Sequence, residues 1–149
     1  MDLTVRVQRL AHGRSLELPR AASEGSAGID LRAAIEEDEQ LVLAPGERAL
    51  IPTGLAFEIP TGWEGQVRPR SGLAVRHGLA LVNSPGTIDS DYRGEIKVLV
   101  INLGQEAVSL GRGQRIAQLV ISPSPRVTLV EVESLEPTGR GSGGFGSTG

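Results

Sequence analysis

The sequence predicts an all-β domain, a sandwich or jelly roll with one short helix and a glycine-rich C-terminal arm. Three observations carry that prediction. Apolar residues recur with period two in short runs rich in β-branched side chains, the alternation of a half-buried strand. The 20 glycines and 9 prolines fall mostly between those runs, in "APGE", "PTG", "NSPG" and "GRGQ", where they mark turns. Only one window reads as a helix, and it is brief.

In chain order, "LTVRVQRL" (3–10) sets Leu3, Val5 and Val7 against Thr4, Arg6 and Gln8. The acidic run Glu36, Glu37, Asp38, Glu39 reads as a solvated turn, with a cation site as the alternative. Further strands are expected at "ALIPTGLAFEIP" (49–60), "LALVN" (79–83), "EIKVLVINL" (95–103), "RIAQLVIS" (115–122) and "RVTLVEVESL" (126–135). The helix is "GLAVRH", with Ser71 as its cap and Gly78 ending it in the left-handed conformation. Residues 1–137 form a single β domain on this reading. Residues 138–149, "TGRGSGGFGSTG", cannot pack a core and make a flexible arm.

Composition narrows the chemistry. Without cysteine there is no disulfide framework or thiolate metal site, and two histidines exclude a histidine-rich zinc site. A reducing, cytoplasmic setting is expected. The N-terminal "DLTVRVQRL" lacks the basic and apolar regions of a signal peptide, and no apolar run is long enough to span a membrane. A net charge of -3 argues against a broad phosphate-tracking surface, so no nucleic-acid partner is expected. Any phosphate chemistry must use a local cluster.

Three segments supply such clusters. "RPRSGLAVR" (68–76) sets arginines around a serine and a glycine at the expected helix start, where guanidinium forks and backbone N–H groups suit phosphate oxygens. A solvated polar loop is the alternative. "NSPGTIDSDYRGEIK" (83–97) crowds Asp89, Asp91 and Tyr92 into one turn. A carboxylate there can take a proton from water, and Tyr92 can lie flat on a sugar or base with its hydroxyl free. Ordinary turn chemistry explains the same residues. In "GRGQRIAQLVI" (111–121), period two puts Ile116, Gln118 and Val120 on one face, so Gln118 interrupts an apolar row and needs a partner, from the protein or a ligand. Gly139, Gly141 and Gly144 fit G-x-G-x-x-G by accident, since neither a strand nor a helix flanks them.

Together and in this order, the segments are specific. "SAGIDLRA" (26–33), "PRSGLA" (69–74), "NSPGTIDSDYRGEI" (83–96), "GQRIAQLVI" (113–121) and "GRGSGGFGSTG" (139–149) resemble the five ordered motifs of the trimeric dUTPases. The resemblance implies a jelly-roll subunit, a homotrimer with sites at subunit interfaces, and Mg²⁺-dependent hydrolysis of dUTP to dUMP and pyrophosphate. Deaminases of deoxycytidine triphosphate share the fold, but "IDSDYRGE" is the dUTPase form.

Roles follow from the resemblance position by position. Asp89 matches the general base that activates the water attacking the α-phosphorus. Tyr92 matches the residue that packs on deoxyribose and leaves no room for a 2′-hydroxyl. Asn83, with Gly86, Thr87 and Ile88 of the "NSPGTID" hairpin, matches the group that reads uracil. Arg70, Ser71 and Gly72 match the phosphate loop, Gln118 a further phosphate contact, and Lys97 a substrate contact of bacterial members. Asp30 matches an acid that helps hold hydrated metal. In the arm, Arg140 matches the γ-phosphate contact and Phe145 the residue stacking on uracil, with Gly146, Ser147 and Thr148 beside the phosphates. Arg68, Arg112 and Arg115 remain open between binding and structural roles.

Overall fold

A computed structural model describes residues 3–146. Its first half comprises β1 (Arg6–Arg9), a 3₁₀ turn (Ala11–Gly13), β2 (Gly28–Arg32), β3 (Gln40–Leu43), β4 (Arg48–Glu58) and β5 (Trp63–Arg68). The single α-helix, α1 (Ser71–His77), is followed by β6 (Leu79–Leu81), β7 (Gly86–Ile88), β8 (Glu95–Asn102), β9 (Val108–Gly111) and β10 (Arg115–Pro123). Antiparallel pairing builds two four-stranded sheets, ordered β1-β4-β8-β6 and β2-β10-β5-β7, and a β3-β9 ribbon. The all-β expectation holds. Their inward faces meet in one core that includes Leu31, Ile51, Val67, Val98, Val100, Leu110 and Leu119. Burying each such side chain fully stabilises the fold by ~1.5–3 kcal/mol, enough to set strand register wherever one face is inward.

Local chemistry explains the ends and bends. Gly78 takes φ 68°, and its N–H closes the helix on the Ala74 carbonyl, as expected of a left-handed C-cap. Ser71 is not the cap. It is the first helical residue, and Arg70, extended at φ -95° and ψ 126°, occupies the cap position without a side-chain bond. Strand β4 breaks register with β8 between Pro52 and Ala56, where proline offers no N–H and Gly54 adopts φ 67°. Gly13 packs directly on Gly54: a Cβ on Gly13 would lie 2.6 Å from the Gly54 oxygen. This contact seats the 3₁₀ turn against the bend. The acidic run is a turn, closed by the Glu39 N–H on the Glu36 carbonyl at 3.2 Å.

Asn102 is fully buried and spends every polar atom on the backbone. Its Nδ2 donates to the carbonyls of Leu43 (2.9 Å) and Glu106 (2.8 Å), and its Oδ1 accepts from the Gly104 N–H at 2.8 Å. Asn102→Ala strands one buried and two partly buried backbone groups, so we expect a loss of about 1–3 kcal/mol in denaturant unfolding. A loss below about 0.5 kcal/mol would mean that water replaces the amide.

One expected strand is missing. Residues 126–135 pair with nothing described, and Val127, Leu129, Val130, Val132 and Leu135 are exposed, Leu129 at 91%. Their β pattern needs a sheet edge, and they pair with none of the described strands. Among the described residues, regular structure ends with β10. Among the described residues no helix is long and apolar enough to cross a membrane.

Candidate active site

The expected site residues form separate groups on the surface. The first lies on the sheet β2-β10-β5, where Asp30, Gln118 and Arg68 stand in one cross-strand row. The Asp30 carboxylate is clasped from two sides: Arg70 Nε donates to Oδ1 at 2.8 Å, and Arg115 Nη1 to Oδ2 at 3.1 Å. Both arginines are partly exposed, and the terminal nitrogens of Arg70 have no partner among the described residues. A charge-assisted bond to Nε thus aims a guanidinium fork outward. Beside it lie Ser71, exposed on the first turn of α1, and Gly72.

Gln118 belongs to this group for a reason that simple period-two reading misses. A bulge between Arg115 and Ala117 shifts the strand phase, so the buried residues are Ile116, Ala117 and Leu119, and Gln118 stands on the opposite face. No apolar row is interrupted. Its Nε2 donates to the Pro69 carbonyl at 3.0 Å and so braces the loop carrying Arg70. The side chain lies over Gly28, where any Cβ would collide with its amide.

The second group surrounds the turn between β7 and β8. A cleft of about 460 Å³ is lined by Leu50, Thr87, Ile88, Asp89, Tyr92, Glu95, Ile96 and Lys97. The turn closes through the Tyr92 N–H on the Asp89 carbonyl at 3.1 Å, so the backbone of Asp89 is fixed. Its carboxylate has no hydrogen-bond partner among the described residues and faces solvent. Tyr92 keeps its ring 44% exposed, but its hydroxyl is not free: it donates to the Glu95 carbonyl at 3.0 Å. Asn83 and Gly86 lie at the other end of the same hairpin, where a Cβ on Gly86 would approach Asn83 Nδ2 to 3.0 Å.

The arm is the third group. Arg140 and Phe145 are exposed, the Arg140 side chain donates among the described residues to the Gly143 carbonyl at 2.8 Å, and Gly146 also faces solvent. Ser147 and Thr148 lie outside the described residues. The Asp89 cleft is lined by none of Asp30, Arg70, Ser71 or Gln118, nor by any described residue of the arm. One chain therefore presents the motif residues without assembling them. Within the chain, Arg68 bonds Gln66, Arg115 bonds Asp30, and Arg112 bonds the carbonyls of Ile35 and His12 and the Ser15 hydroxyl. The His12 and Glu95 side chains, 2.5 Å apart, were not anticipated, since nothing in the sequence links positions so distant.

The match that decides the family spans most of the chain: the dUTPase model fits residues 14–149. The chain belongs to the dUTPase family. It is 63% identical over 150 residues to a deoxyuridine 5′-triphosphate nucleotidohydrolase of Anaeromyxobacter sp. (strain Fw109-5), covering 100% of this chain and 99% of that protein. The Staphylococcus bacteriophage 80alpha dUTPase with dUpNHpp superposes with TM-score 0.87 at 29% identity, covering 98% of each chain. A mutant dUTPase from phage phi11 of S. aureus, described for its coordination of a structural Mg(II) ion, matches with TM-score 0.78 at 26% identity, over 89% of this chain and 98% of that one. This dUTPase-family enzyme thus shares the overall fold of the two phage proteins.

Proposed function

We propose that the protein is a cytoplasmic, homotrimeric dUTP diphosphatase that limits uracil incorporation into DNA and supplies dUMP for thymidylate synthesis. The observation that carries this reading is the division of the motif residues into exposed, mutually separate groups on one subunit. A site completed by neighbouring copies accounts for that division. The unpaired apolar run 126–135 supports association as well, because another copy can cover it.

The chemistry follows from the groups. Asp89 takes a proton from water as the water oxygen bonds the α-phosphorus, and the bond to the α,β-bridging oxygen breaks, releasing pyrophosphate. A carboxylate that nothing else engages is suited to this step. Arg70, with its fork aimed outward, and Arg140 from the arm neutralise the triphosphate, joined by Ser71, Gly72, Gln118, Lys97 and the donors Gly146, Ser147 and Thr148. Tyr92 packs on deoxyribose, Asn83 with Gly86, Thr87 and Ile88 reads uracil, and Phe145 stacks on it.

Mg²⁺ is expected to enter with the triphosphate. Among the described residues no group of three or more carboxylates or histidines is placed to hold a metal, and each Asp30 oxygen is already engaged by an arginine. Those donors fit a hydrated ion touched through water by Asp30 and bound mainly by phosphates, the usual mode for Mg²⁺. When bound, it neutralises charge developing on the phosphates. Asp30 then acts chiefly by orienting Arg70. Asp30→Ala should raise KM for dUTP about tenfold, a change of ~1.4 kcal/mol, with kcat within about threefold. A loss that disappears at saturating Mg²⁺ would assign Asp30 to the metal instead.

Pyrophosphate release with dUTP, dTTP, dCTP and UTP, with and without Mg²⁺, tests the function. Turnover of dUTP alone, dependent on the metal, is expected. Ammonia release from dCTP would mark a deaminase, and dUTP binding without cleavage a regulatory protein on this scaffold.

A further inference from the structure

The geometry points to His12 as a positioning residue that sets sugar selectivity by holding Tyr92, a role that rests on the dUTP-hydrolysis reading above. Glu95 is the link. Its side chain is only 14% exposed, so its carboxylate requires partners. It has two: the Gly54 N–H at 2.9 Å and His12 Nε2 at 2.5 Å. A carboxylate can only accept, so Nε2 carries the hydrogen. The backbone of the same residue receives the Tyr92 hydroxyl at 3.0 Å.

Tyr92 has few other restraints. Its ring folds back over Gly94, where a Cβ would come within 2.9 Å of Cε2, so it occupies the space a side chain there would take and is half-exposed on its other side. The Glu95 carbonyl is its polar anchor, and Glu95 opens β8 opposite Ala56, where the β4–β8 register is broken, so the side-chain bonds of Glu95 add to a pairing that is interrupted there. His12 is fixed in turn. The Gly13–Gly54 packing seats its turn, and Arg112 Nη2 donates to the His12 carbonyl at 2.6 Å while Nη1 reaches the Ile35 carbonyl at 2.6 Å. The chain of contacts therefore runs from Arg112 through His12 and Glu95 to the ring that lines the Asp89 cleft.

Excluding a 2′-hydroxyl needs the ring held to within the size of one oxygen atom. Displacements of about 1 Å at positioning groups change rates by up to about 10²-fold. Releasing Glu95 should thus cost selectivity more than it costs stability or dUTP turnover. Asp89 is less affected, because the Tyr92 backbone N–H closes its turn independently of the hydroxyl.

The test is steady-state pyrophosphate release by the full chain with dUTP and with UTP, read as the ratio of kcat/KM values. For His12→Ala we expect that ratio to fall about tenfold, and for His12→Gln, which keeps a donor near Glu95, a fall of about threefold or less. Unchanged selectivity in His12→Ala, or equal losses in both variants, would overturn the proposal. If His12→Ala fails to fold by circular dichroism, Glu95→Ala takes its place: it removes the oxygen that accepts from both the Gly54 N–H and His12 Nε2. A fall in its ratio supports the role, and an unchanged ratio overturns it. A wild-type protein that leaves dUTP intact would refute the hydrolysis reading itself, a result separate from any of these.

Discussion

Asp89→Asn should bind dUTP and fail to turn it over. The expected loss in kcat is about 10²–10⁴-fold, the usual contribution of a positioned general base. The structure isolates that effect, because the carboxylate bonds nothing among the described residues and the turn is held by the Asp89 carbonyl, which asparagine keeps. Thermal stability should therefore match wild type. Binding of a non-hydrolysable analogue should be equal or slightly tighter, since one negative charge beside the triphosphate is gone. Calorimetric titration with the analogue and single-turnover rates with dUTP measure the two quantities separately. Near wild-type pyrophosphate release would remove Asp89 from the mechanism.

Much of this was legible in the sequence, and the parts that were not share a cause. Five of the six period-two runs became strands, and Gly78 ended the one described helix, because alternation and a left-handed glycine are local signals. Strands β2, β3, β5, β7 and β9 were not singled out as strands. They are short, and "WEGQVR" places Gly65 inward under Ile59 and Leu119 while Glu64, Gln66 and Arg68 face out, so little apolar rhythm survives. The run 126–135 failed in the opposite sense: its rhythm is strong, but a strand needs a partner and the rhythm does not supply one. Gln118 was placed on the wrong face because a one-residue bulge inverts period two without leaving a trace in composition.

The site divides along the same line. Residue types and their order pointed to the family, whereas the pairings Asp30 with Arg70 and His12 with Glu95 join positions 40 and 83 residues apart and are fixed by tertiary packing. Those pairings change the emphasis of two assignments. Asp30 becomes an organiser of arginines before it is a neighbour of metal, and the Tyr92 hydroxyl becomes an anchor instead of a free donor.

Truncation after Pro137 should leave a folded protein with kcat/KM for dUTP reduced about 10²-fold or more. Folding is expected to survive because the described part of the removed segment bonds only within itself: the Gly141 N–H to Thr138, the Gly143 N–H to the Arg140 carbonyl, and Arg140 to Gly143. Nothing described there enters the core, so the unfolding midpoint should shift by less than about 2 °C. The run 126–135 stays, so the trimer we propose should persist in light scattering. Activity is different. Arg140 supplies a cation that no other described element brings, and Phe145, fully exposed in the lone subunit, gains a reason for its position only when it covers a base. Closing such an arm expels water and strengthens every charge interaction around the phosphates, which acts on turnover. Arg140→Ala and Phe145→Ala divide the effect: the first should raise KM and lower kcat together, the second should mainly raise KM. Full activity in the truncated chain would show that the arm is dispensable and that the phosphates are held by Arg70 and its neighbours alone.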